Sequence, residues 1–155
     1  MSPTSERLQQ VTNQLQTPSS NMSSKKEIVE TKASPAPLAV MPFSAAVKSN
    51  GFVYLSGVIG VDPETNKIVE GDIKDRTRRV MTTITNVLKD SDSDINNIIK
   101  CNVYLTDIKN DFGPMNEAYL EFFPDPKTRP ARTCVQVAAL PFGTDIEIEC
   151  HAHLN

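Results

Sequence analysis

The chain has 155 residues, a length that argues for one domain with a single core, and a formal net charge of −3. That acidic balance gives no electrostatic reason to expect nucleic acid or an anionic membrane as the main partner, and no apolar run approaches bilayer length. Cys101, Cys134 and Cys150 are odd in number, widely spaced and without a CxxC pair. They therefore argue against a disulfide framework or a thiolate zinc site and for a reducing compartment, the cytoplasm or the mitochondrial matrix.

Residues 1–36 are rich in Ser, Thr and Gln and lack aromatics, so they are expected to form a disordered tail. Leu8, Val11 and Leu15 can share a helical face, as in a targeting segment. Against that, Arg7 is the one cation before Lys25 and sits beside Glu6. The folded domain is expected over 37–155.

Asn50-Gly51 between two short apolar runs predicts a hairpin, because both residues tolerate positive φ. A turn follows at VDPETNK. Asp72 is placed to cap a helix running to about Lys89, in which Ile73, Thr77, Val80, Met81, Ile84, Val87 and Leu88 form one stripe. Ile98 to Thr106 reads as a strand. Asp111 is expected to cap a second helix with Phe112, Met115, Tyr119 and Phe122 on its buried face, ended by the Pro-rich PDPKTRP. Two strands follow, at about 131–138 and 145–154. The short connection ALPFGTD favours pairing them antiparallel, side by side. The element order predicts an α+β domain, a mixed sheet with two helices packed on one face.

On the last strand Ile146, Ile148, Cys150, Ala152 and Leu154 alternate with Glu147, Glu149, His151 and His153. The strand before it puts Arg132, Cys134 and Gln136 on one face. Paired directly, the two strands bring a guanidinium, a thiol and carboxylates onto one surface, where an Arg offers a planar fork for a small carboxylate. The alternative from pattern alone is an Arg–Glu cross-strand pair on a solvated face. His151 and His153 have no third metal ligand at motif spacing, and Cys134 has no positioned base. Lys74, Arg76, Arg78 and Arg79 read as the solvated side of the first helix rather than a phosphate site.

RPARTCVQVAALPFGTDIEIECHA closely resembles the C-terminal signature of the RidA (YjgF) family. NGFVYLSGVIGVDPETNKIVEGDI resembles that family's hairpin and following turn, and IKCNVYLTDIKNDFGPMNEAYLEFF its strand and second helix. The resemblance covers essentially 37–155. It implies a chorismate-mutase-like (YjgF-like) α+β fold assembled as a homotrimer with sites between subunits. It further implies cofactor-free, metal-free hydrolysis of reactive enamine and imine acids such as 2-aminoacrylate and 2-iminobutanoate to 2-keto acids and ammonia. By the same resemblance Arg132 grips the substrate carboxylate and Glu147 positions or activates water. Cys134 presents a backbone N–H to the ligand, and Ser56, Gly57 and Asn116 line the pocket. Deaminase members usually carry G-x-Y-S-Q-A and S-G-Q where this chain has MPFSAA and Ser56-Gly57-Val58. Phe43 thus stands at a pocket tyrosine's position, and Ala45 and Val58 at those of glutamines. These departures motivate the alternative of a non-enzymatic carboxylate-binding or protein-regulatory trimer. A ribonuclease role, attributed to some members, fits the acidic charge poorly.

Overall fold

In a computed structural model, residues 25–34 and 41–155 are described, so most of the expected tail, including Leu8, Val11 and Leu15, lies outside the described residues. Seven strands form one sheet: β1 (Glu27–Ile28), β2 (Ala46–Ser49), β3 (Phe52–Leu55), β4 (Val58–Ile59), β5 (Ile98–Leu105), β6 (Ala131–Gln136) and β7 (Ile146–His153). Helices α1 (Ile73–Asp90) and α2 (Ile108–Leu120) lie against it. The strand order is β1-β2-β3-β7-β5-β6, with β4 also pairing to β7. The predicted α+β class and two-helix arrangement are what the chain adopts. Within the segment expected as tail, β1 pairs with β2 and Val29 is buried in the core.

The hairpin turns at Asn50 (φ 51°) and Gly51 (φ 80°), two positive values that few other pairs adopt without strain. Asp72 caps α1 by accepting from the backbone N–H groups of Lys74 and Asp75, and Asp75 accepts in return from the Asp72 N–H. Such a reciprocal cap stabilises a helix start by about 1 kcal/mol. All seven residues of the expected α1 stripe are buried. Its cationic face is matched by carboxylates: Lys74 pairs with Glu117, Arg78 with Glu121 and Asp75, and Arg76 forms a two-bond pair with Asp145 at 2.6 and 2.5 Å.

The second helix departs from expectation. Its cap is Asp107, which accepts from the Asn110 N–H, so Asp111 lies inside the first turn. An Asp111 cap would have placed Pro114 in the first turn, where its missing N–H is harmless. The actual start puts Pro114 mid-helix, at the loss of one backbone bond. Met115, Ala118 and Tyr119 are the buried positions. Phe123 just beyond the helix is fully buried, Phe122 is half-buried, and Phe112 stays 42% exposed.

The last two strands also depart from expectation: they are not neighbours. β6 returns through the α2 crossover to pair parallel with β5, and β5 pairs antiparallel with β7, so β5 separates them. Opposed residues share a face. Arg132 opposes Cys101, which opposes Cys150; Cys134 opposes Val103, which opposes Ile148. Cys101, Val103, Ile148 and Cys150 face the helices and are buried. Arg132 and Cys134 therefore lie on the helix-covered face, and Glu147 and Glu149 on the open one. The single surface expected to carry all four does not form within one chain. The connection length is compatible with a hairpin, but it spans one intervening strand just as well.

Candidate active site

On the open face, Glu147 stands on β7 opposite Ile59 of β4 on one side and Tyr104 of β5 on the other. Between the β3 and β4 pairings, residues 55–57 have no ladder partner on β7. A Cβ at Gly57 would fall 1.7 Å from Glu147 Oε1, so the absence of a side chain there is what lets the carboxylate lie over the backbone. Ser56 donates from Oγ to the Ser44 carbonyl at 2.7 Å, and its N–H donates to the Ala45 carbonyl at 3.0 Å. These two bonds tie down the segment that presents Phe43.

Together these residues border a cleft of about 770 Å³ whose lining includes Met41, Phe43, Ser56, Gly57, Val58, Glu147 and Glu149, with Thr83 and Val87 of α1 behind and Phe142 at the edge. Phe142 is 78% exposed and adopts φ 57°, a left-handed conformation rare for an aromatic residue. The Thr83 hydroxyl is buried with no hydrogen-bond partner among the described residues.

The two cleft carboxylates differ. Glu149 accepts from Asn102 Nδ2 at 2.8 Å and from the Tyr104 hydroxyl at 2.9 Å. Glu147 has no hydrogen-bond donor among the described residues, and burial, with the nearby Glu149 charge second, raises its pKa above the ordinary carboxylate value. A carboxyl tuned in this direction suits proton transfer near neutral pH.

On the covered face, three side chains of α2 surround the Arg132 guanidinium. Nη2 donates to Asn116 Oδ1 at 2.5 Å, Nη1 approaches Met115 Sδ at 3.9 Å, and Cζ stands 4.6 Å from the centroid of the Tyr119 ring. Arg132 forms no ion pair among the described residues, so the cross-strand Arg–Glu pair is not made. Cys134, half-buried beside it, has its thiol pKa raised by desolvation. β6 is a terminal strand, so alternate backbone N–H groups point away from the sheet.

Of the residues singled out in the sequence, Phe43, Ser56, Gly57 and Glu147 come together in the cleft. Arg132, Asn116 and Cys134 form a second group on the other face. Met115 and Tyr119 were assigned to the core alone, and their contact with Arg132 was missed. The remaining polar candidates have local roles, His151 packing edge-on against Tyr54 and His153 Nδ1 lying 3.0 Å from the Leu154 carbonyl. No described helix is long and apolar enough to cross a membrane.

Comparison with known proteins identifies the family. The family model described as Endoribonuclease L-PSP matches residues 33–154. The chain is 45% identical over 130 residues to Reactive Intermediate Deaminase A, chloroplastic, of Arabidopsis thaliana, covering 84% of this chain and 67% of that protein. Among solved structures, yeast Mmf1 superposes with a TM-score of 0.78 at 40% identity, over 84% of this chain and 100% of the other. E. coli TdcF with bound serine superposes with a TM-score of 0.76 at 35% identity, over 83% of this chain and 99% of the other. The fold, the signature residues and these relatives agree: the chain belongs to the RidA (YjgF) family of reactive intermediate deaminases.

Proposed function

We propose that this protein hydrolyses small enamine and imine acids, such as 2-aminoacrylate and 2-iminobutanoate, to 2-keto acids and ammonia, without a cofactor. One observation carries the reading. Arg132 is a cation held in place by neutral groups, with no counter-charge paired to it among the described residues, which leaves it for a ligand's carboxylate. The bound serine of the E. coli relative is a ligand of that chemical kind.

The imine carbon is already electrophilic, so orientation and proton transfer suffice. Arg132 fixes the carboxylate of R–C(=NH)–COO⁻. Glu147, raised toward neutrality, takes a proton from water as its oxygen bonds to the imine carbon. The protonated Glu147 returns that proton to nitrogen, giving a carbinolamine. Glu147 then takes the hydroxyl proton as the carbonyl forms and passes it to the amino nitrogen as the C–N bond breaks, so that imine plus water becomes keto acid plus ammonia.

Because Arg132 and Glu147 occupy opposite faces of one sheet, this mechanism requires Arg132 of one copy and Glu147 of another. A homotrimer with pockets between copies satisfies that requirement. Exposed apolar side chains on the open side of the sheet, including Phe52, Tyr54 and Ile99, supply surface for such an assembly. Coupling a serine or threonine dehydratase to detection of imine decay, with and without the protein, tests the activity. No acceleration would overturn it. Sedimentation showing a monomer at micromolar concentration would overturn the shared site.

The cleft favours a second reading. It is far larger than a four-carbon acid needs, and Phe43, Ala45 and Val58 line it where the family's usual Tyr and Gln side chains are polar. A carboxylate-binding or regulatory trimer would use the same anchor without turnover. Binding of 2-keto acids with no imine hydrolysis would establish it.

A further inference from the structure

We propose that Tyr119 is a positioning residue for the reaction, acting through Arg132: its ring face sets the plane and fixes the rotamer of the guanidinium that receives the carboxylate. This deepens the reading above and rests on Arg132 being the anchor.

An arginine on a terminal strand has several rotatable bonds, and freezing them as the ligand arrives weakens binding. Here the freezing is done in advance. Tyr119 lies under one face of the guanidinium, with Cζ 4.6 Å from the ring centroid, while Asn116 takes one Nη2 hydrogen at the rim. That leaves other N–H groups of the fork for the two oxygens of a carboxylate. Covering one face with a ring rather than a carboxylate orients the cation without neutralising it, which an ion pair could not do.

The ring is itself braced. Tyr119 is 4% exposed and packs against Phe123 with centroids 4.8 Å apart. Its hydroxyl is buried with no hydrogen-bond partner among the described residues, and Cys101, whose strand position lies opposite Arg132 itself, is near it. A hydroxyl left unsatisfied in the core is costly. The aromatic face is therefore what the position supplies, and the oxygen is dispensable to it.

The test separates the ring's electrostatics from its bulk. In the full chain, Tyr119→Phe and a series of progressively fluorinated phenylalanines at 119 keep the ring in place while draining negative charge from its face. Calorimetric titration with 2-oxobutanoate reads the anchor, and KM and kcat for 2-iminobutanoate read its use. We expect Tyr119→Phe to bind as the wild type does. Affinity should then fall stepwise with fluorination, reaching about fivefold to thirtyfold, with the change in KM and kcat nearly constant. Tyr119→Leu should give a loss of similar size in KM. A flat response across the fluorinated series in folded protein overturns the proposal, as does unchanged affinity in a folded Tyr119→Leu variant. Arg132→Ala distinguishes the two levels. If it abolishes 2-oxobutanoate binding while the series stays flat, the anchor stands and Tyr119 is only packing. If Arg132→Ala binds as the wild type does, the anchor assignment fails and the role of Tyr119 falls with it.

Discussion

On the helix-covered face of the sheet Arg132 is held by three side chains of one helix, whereas on the open face Glu147 has no donor among the described residues and Glu149, two residues along, takes two. Among the described residues neither Arg132 nor Glu147 has a paired counter-charge, yet the two are prepared in different ways. The cation is fixed in position by groups that leave its charge alone. The anion is altered in energy by burial and by a like charge, with its position set by the missing side chain at Gly57. An anchor needs geometry first, while an acid–base group also needs a suitable pKa.

The largest effect is expected from removing the tuned group. Glu147→Gln should lower imine hydrolysis by roughly a hundredfold to ten-thousandfold, measured in the coupled dehydratase assay. The same substitution should raise stability. In the folded protein the Glu147 carboxyl titrates above its unfolded value, so its contribution to stability is full below the unfolded pKa and is lost as pH rises through the folded one. Glu147→Gln should therefore melt higher than the wild type at neutral pH, with the gap closing below about pH 4. Wild-type kcat should rise with pH through that same raised pKa.

The next effect tests position on the open face. Gly57→Ala should push the Glu147 carboxylate aside while sparing the fold, because the clash is with the far end of a flexible side chain. A loss of up to about a hundredfold in kcat with little change in melting temperature is expected. A fully active variant would mean that the carboxylate's position is unimportant. On the covered face, Arg132→Lys retains charge but loses the planar fork, and kcat/KM should drop by at least about tenfold. The smallest effect concerns the cleft wall. Phe43 is 48% exposed, and Phe43→Tyr offers a hydroxyl to substrate or water, with a gain of about twofold to tenfold in kcat/KM at unchanged stability. A stable variant that is no faster would favour the ligand-binding reading.

The sequence made the local structure plain and left the long-range pairing open. The α1 stripe and the alternation along β7 rest on periods of 3.6 and two, and Asn50-Gly51 and the Asp72 cap on the preferences of single residues, all of which a chain displays directly. Strand adjacency is not a local property. The loop between Gln136 and Ile146 spans a strand as readily as it turns back, and the register through β5 matches Arg132 with Cys150, which places Glu147 on the other face. Asp111 has the side chain of a cap, but the helix starts one turn earlier, at Asp107. The candidate residues gather into two groups that a linear pattern could not sort. Tyr119 was hidden because an aromatic residue at helical spacing reads as core, which it also is.

The separation of Arg132 and Glu147 by the thickness of a sheet has a genetic counterpart. If each catalytic centre draws the two residues from different copies, Arg132→Lys and Glu147→Gln are defects that can complement one another. Either variant alone carries no intact centre. Trimers reassembled from an equal mixture would contain the unmutated pair in about a quarter of their centres, and activity should return to that level from two nearly inactive preparations. A centre housed within a single chain would recover nothing on mixing, since every chain would still bring one defect of its own.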